Sequence, residues 1–144
     1  MNDWKPNPKQ SLALEQTADE ILYGGSRGGG KTDAGMGFLC YDHQHPAYKA
    51  LVLRRNADDL RDWVSRATLF FKRIGAVKVG SPPEFRLPAG GYIRTGHLRD
   101  EDAYTKYQGH EYQKMLFEEL THISSVDNYL KVLASCRSTV PELR

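Results

Sequence analysis

The sequence is poor in cysteine, in long apolar runs and in excess charge, and each shortage closes off a class of protein. Its two cysteines, Cys40 and Cys136, stand far apart inside helical patterns. They read as small apolar residues with reduced thiols rather than as a disulfide or a zinc pair. No stretch approaches the roughly 18 apolar residues of a membrane span, and the opening Met1-Asn2-Asp3-Trp4-Lys5 lacks a signal-peptide core. A cytosolic protein without a membrane partner is expected. The formal charge of +2 is too small to announce a nucleic-acid binder, because sequence-blind DNA binding needs clustered Lys and Arg. Repeats and low-complexity segments are lacking, and the linker-like stretch is the opening one with Pro6 and Pro8. What is present, 144 residues of near-average composition, suffices for one domain with its own core.

Along the chain, apolar runs and helical patterns alternate. Ser11 to Ala18 is weakly helical, and Ile21-Leu22-Tyr23 is a short apolar run ending at Gly24-Gly25, read as a buried strand. Lys31 to Tyr41 follows as a helix although Gly35 and Gly37 each cost about 1 kcal/mol in a helix interior. Those glycines imply close packing against a sheet. Ala50-Leu51-Val52-Leu53 is a second buried strand. Asn56 then caps a helix whose apolar face is Leu60, Trp63, Val64, Ala67, Phe70 and Phe71. Strand, helix, strand, helix predicts an α/β fold with a mainly parallel sheet, in which ligands sit beyond the carboxyl ends of the strands.

Further on, Glu84 to Leu87 and Tyr92 to Thr95 alternate on either side of Pro88-Ala89-Gly90-Gly91, the pattern of a hairpin. A short helix through Ala103 to Tyr107 stops at Gly109. Lys114-Met115-Leu116-Phe117 is a third buried strand running into Glu118-Glu119. The last helix starts at Ser124 or Ser125, with Asp127 placed for a capping box with Ser124, and continues to about Cys136.

Residues 25 to 32, Gly25-Ser26-Arg27-Gly28-Gly29-Gly30-Lys31-Thr32, fit the phosphate-loop pattern G-x-x-x-x-G-K-[ST] and stand between the predicted strand and the predicted helix. Such glycines let successive amides turn inward onto phosphate oxygens, and the helix that follows adds its positive end. Lys31 is expected to reach the terminal phosphates of ATP and Thr32 to ligate magnesium. The plain alternative is a glycine turn whose lysine faces solvent; the flanking elements argue against it. Arg27, a second cation beside Lys31, reads either as a sensor of the terminal phosphate or as a solvent-exposed side chain.

Such a site also needs one carboxylate toward magnesium and one to orient the attacking water, at the end of a neighbouring strand. Glu118 is assigned the metal side and Glu119 the role of catalytic base. An apolar strand followed by two glutamates is also how any strand meets solvent, so this signal depends on the phosphate loop upstream. His43, His45, His97, His110 and His122 lack ligand spacing and read as loop residues. Arg54, Arg55 and Arg61 either touch DNA phosphates or form a solvated edge. Trp4 and Tyr23 are candidates to stack on a base, or are core.

Several stretches together resemble the ATPase domain of the large terminase subunits of tailed phages. They are Asn7-Pro8-Lys9-Gln10, the loop YGGSRGGGKT, LVLRRNADDLRDWV, FRLPAGGYIRTGH and YQGHEYQKMLFEELTHI, spread over nearly all of the chain. The resemblance implies a three-layer P-loop NTPase fold and an ATP- and Mg2+-dependent motor that packages double-stranded DNA in the host cytoplasm. It further implies that Gln10 reads adenine, that working copies form a ring, and that the portal protein and the small terminase subunit are partners. Two departures stand out: Glu118 holds a place where the family usually has Asp, and Gln108 stands where an arginine often reaches into a neighbouring subunit, with Arg94 and Arg99 as candidate substitutes. Family members continue beyond the position of Arg144 with a further strand, a coupling motif and a nuclease domain. The C-terminal part of the ATPase domain is therefore expected to be missing, and nuclease activity is not predicted from these residues. The rival expectations are a terminase fragment that binds nucleotide without catalysis and a helicase-like P-loop ATPase.

Overall fold

A computed structural model of the chain describes residues 4–25, 30–99, 103–123 and 125–143. The strand β1, Lys49–Arg54, lies at the centre of the fold because both of its faces are apolar: Ala50 and Val52 look one way, Leu51 and Leu53 the other, and all four are fully buried. A strand covered on both faces needs a layer on each side, and the chain supplies both.

Five strands form one sheet in the order β2-β3-β4-β1-β5, with β2 at Val77–Val79, β3 at Glu84–Arg86, β4 at Tyr92–His97 and β5 at Lys114–Phe117. β4 and β5 both pair parallel with β1. β3 pairs antiparallel with β4, as the alternation around Gly90-Gly91 predicts, and β2 extends the hairpin edge by one strand that the sequence pattern does not announce. The sheet is therefore mixed: parallel where it carries the site, antiparallel at its far edge.

Helices α2, Lys31–Cys40, and α3, Ala57–Lys72, cover one face. The periodic apolar side of α3 is buried as expected, and Trp63, Phe70, Phe71 and Phe85 meet edge to face with centroids 5.0 to 6.5 Å apart. The acidic Asp58 and Asp59 in its first turn and Lys72 in its last suit the helix dipole. On the other face a 3₁₀ turn, Ala103–Tyr107, and α4, Val126–Leu133, close a smaller core around Leu51, Leu53, Leu98, Tyr107 and Tyr112. Ser125 caps α4, accepting from the Asn128 amide, and Ser124 lies outside the described residues. A short helix α1, Pro8–Leu14, packs against α2. Trp4 joins this contact: it lies against Gly37 and meets Phe70 edge to face at 5.3 Å, so it is core and not a base-stacking residue.

The expected strand at Ile21-Leu22-Tyr23 does not form. Ile21 is 42% exposed and Leu22 82%. A short apolar run becomes a strand only where a neighbouring ladder takes its amides and carbonyls. β5 is the last described strand on its side of the sheet, with Cys136 bridging to Tyr112 just ahead of it, and residues 21–23 join no described ladder. Glu20 is held instead by the hydroxyl of Tyr129 on α4. Among the described residues no helix is long and apolar enough to cross a membrane.

Candidate nucleotide site

Gly30 is the N-cap of α2, with φ 70° and ψ 21°, a left-handed conformation that favours glycine. Its carbonyl accepts from Ala34 N at 3.0 Å, the first bond of the helix, and from the side-chain amide of Gln10 at 2.8 Å. Gln10 itself is only 5% exposed. It forms a reciprocal cap with Asn7: Gln10 Oε1 accepts from Asn7 N at 2.8 Å, and Asn7 Oδ1 accepts from Gln10 N at 2.9 Å. Both ends of the Gln10 amide are thus engaged in positioning the glycine turn, a role the sequence did not reveal.

Lys31 is the first residue of α2, and its ammonium donates to the Gly25 carbonyl at 2.6 Å, so it spans the two described ends of the loop. Thr32 follows in the same first turn. Ser26, Arg27, Gly28 and Gly29, the middle of the predicted phosphate cradle, lie outside the described residues. Asp33 joins the two helices by pairing with Arg66 of α3 at 2.9 Å.

The acidic strand end divides its two carboxylates. Glu118 still belongs to the ladder, its amide donating to the Leu53 carbonyl at 3.0 Å, and its side chain turns inward to the α2/α3 layer. There its Oε1 lies 3.3 Å from where a Cβ would stand on Gly35, one turn beyond Thr32 on the same side of α2. A Cβ there would stand closer still to Leu116, 2.8 Å from its Cδ2, so a larger residue at 35 would displace the Leu116 side chain as well as press on the carboxylate. Burial raises the pKa of Glu118, and Arg54, 3.6 Å away with its side chain 16% exposed, opposes that rise. The Trp63 indole N–H lies near enough to favour the carboxylate form but does not complete a hydrogen bond. Glu119 sits one residue on in a left-handed conformation, φ 54°, where the chain leaves the sheet. Its half-exposed carboxylate lies 3.9 Å from His122. A positive φ costs a non-glycine residue about 1–2 kcal/mol, and here it separates two adjacent acids into one buried and one open group.

Arg54 corrects the sequence reading, in which it was either a DNA contact or a solvated edge. It is paired inside the fold, whereas Arg55 is exposed and Arg61 answers Asp58 at 3.3 Å. Opposite charges at the ends of two apolar runs were the available signal. Arg94 is likewise committed, donating to Glu84 at 2.6 Å and stacking on Tyr92, while Arg99 is exposed. Among the described residues no three His, Cys, Asp or Glu side chains cluster as a metal site. Thr32 and Glu118 carry oxygen donors of the kind magnesium takes, and the Glu118 carboxylate lies along the first turns of α2.

Helices on both faces of a mixed sheet, a glycine turn opening a helix, and an acidic strand end laid against that helix define the class: an α/β protein of the kind in which ligands sit beyond the carboxyl ends of parallel strands. No family model matches the chain, and no curated protein matches it by sequence. In structure, 94% of the chain is similar, with a TM-score of 0.75 and 17% identity, to the large terminase from a thermophilic bacteriophage. The chain spans 37% of the length of that protein, and the likeness is one of fold.

Proposed function

We propose that this chain is the nucleotide-binding module of a DNA-packaging motor, hydrolysing ATP with Mg2+ to move double-stranded DNA. The observation that carries the reading is the Glu118 carboxylate lying on Gly35, which sets an acidic strand end beside the helix that Lys31 and Thr32 open. The terminase-like fold supports the same reading. In it, residues 25 to 32 cradle the phosphates, Lys31 and Arg27 contact the terminal one, Thr32 and Glu118 hold magnesium, and Glu119 orients the attacking water. Gln10 contacts the base while it holds Gly30. Magnesium would neutralise charge building on the transferred phosphate. Working copies assemble as a ring with portal protein and a small terminase subunit, in the cytoplasm of the infected cell. Steady-state ATP hydrolysis with Mg2+, measured with and without double-stranded DNA, tests this: turnover stimulated by DNA is expected.

A second reading is that the chain binds nucleotide without catalysis of its own. It is favoured by the outer edge of β5, which no described strand pairs beyond the bridge at Tyr112, and by the exposed Ile21 and Leu22. Tight binding of ATP with no turnover under any DNA condition would select it.

A further inference from the structure

Three neighbouring strands end in a row of polar side chains that face the same helical layer. Arg54 of β1 stands in register with His97 of β4 on one side, and Glu118 follows β5 on the other, its amide still bonded to the Leu53 carbonyl. The guanidinium reaches in two directions. One terminal nitrogen lies 3.6 Å from Glu118, and the other donates to the Asp59 carbonyl in the first turn of α3 at 2.9 Å. Its Nε is buried without a partner, and so is His97 Nδ1 on the adjacent strand. In the tautomer that leaves Nδ1 unprotonated, His97 offers an acceptor at the register position beside Arg54. Two unsatisfied buried groups beside each other are costly, and their pairing would remove both costs.

We propose that Arg54 is a positioning residue with two stations: it holds Glu118 while no cation is bound, and turns to His97 when a divalent cation arriving with nucleotide takes the carboxylate. The inference rests on the nucleotide reading of the site and adds its regulation. The present contact suits a displaceable partner, because at 3.6 Å it is an ion pair without the short bidentate geometry of a strong Arg–carboxylate bond. A doubly charged cation exerts about twice the pull of a guanidinium at equal distance. A buried carboxylate without a positive partner is costly, which favours one cation replacing the other. As Arg54 turns, its bond to Asp59 is strained or lost, and the first turn of α3 loosens. Nucleotide occupancy is thereby carried to residues 56–61, where Arg55 and Arg61 are exposed.

The test uses the full chain with Trp4→Phe, which leaves Trp63, beside Glu118, as the sole tryptophan. A slowly hydrolysed ATP analogue is added with Mg2+ or with EDTA, and binding is followed separately by calorimetry. With Mg2+, Trp63 emission is expected to shift and amide exchange at residues 57–61 to rise on the order of tenfold; with EDTA, neither changes. Arg54→Lys keeps the charge but is too short to bridge Glu118 and Asp59, and is expected to bind analogue with neither response. Glu118→Gln is expected to lose the difference between Mg2+ and EDTA. Equal responses in Mg2+ and EDTA, or an Arg54→Lys protein that responds like its parent, overturn the switch while leaving the nucleotide site standing. No binding of the analogue at all overturns both.

Discussion

Gln10 donates its side-chain amide to the carbonyl of Gly30, twenty residues away, at 2.8 Å. A helix of seven residues thereby holds the last glycine of the loop in the left-handed conformation from which α2 starts. Gln10→Ala removes two part-buried hydrogen bonds, to the Gly30 carbonyl and from Asn7 N, each worth about 0.5–1.5 kcal/mol, and is expected to weaken nucleotide binding about tenfold and to lower the melting temperature by a few degrees. Gly30→Ala is expected to be worse, since its Cβ would lie 2.3 Å from Gln10 Nε2 at an unfavourable φ. Titration of a fluorescent ATP analogue checks both; equal affinity in all three proteins would remove Gln10 from the site.

Lys31 and Glu119 divide binding from turnover in the proposed mechanism. Lys31→Ala is expected to abolish measurable nucleotide binding. Glu119→Gln is expected to retain binding and lose about 10²- to 10⁴-fold in turnover. Calorimetry alongside an ATPase assay separates the two, and equal losses in both variants would refute the division.

Phe71 is fully buried and meets Trp63, Phe70 and Phe85 edge to face. Truncation to alanine leaves a cavity in the centre of the larger core. Phe71→Ala is expected to cost about 3–5 kcal/mol, a large share of the roughly 5–15 kcal/mol that holds a domain together. Urea denaturation measures it; a loss under about 1 kcal/mol would mean that the α3 face is not packed as described.

Lys114 is enclosed by the rings of Phe38, Tyr41 and Tyr48, and pairs with Asp42 at 3.0 Å. Burial lowers its pKa below 10.5 more than Asp42 restores it. Between that lowered value and 10.5 the unfolded chain binds more protons than the folded one, so this group makes stability rise with pH through the window. Stability of the parent relative to Lys114→Met is therefore expected to climb as pH approaches 10.5. Paired denaturation curves across mildly alkaline pH would show it, and a flat or falling difference counts against the burial.

Much of the fold was legible locally. The apolar run at β1, the alternation flanking Gly90-Gly91 and the 3.6-residue spacing of the α3 face each state their burial in consecutive residues. The end of β5 was legible too, its apolar run passing into Glu118 and Glu119 where the chain leaves the sheet. β2 escaped because a three-residue strand has too little pattern to register, and two of its residues are exposed.

By itself, then, the chain's periodicity determined which segments turn an apolar side inward, since that depends only on neighbours along the backbone. The tertiary structure decided who stands opposite whom. Ile21-Leu22-Tyr23 has strand composition but no ladder to enter, Gln10 is committed to a glycine distant in sequence, and Arg54 faces Glu118 rather than water. Hydrogen bonding and ion pairing require a partner at a set distance, and that distance exists only once separate segments are laid side by side.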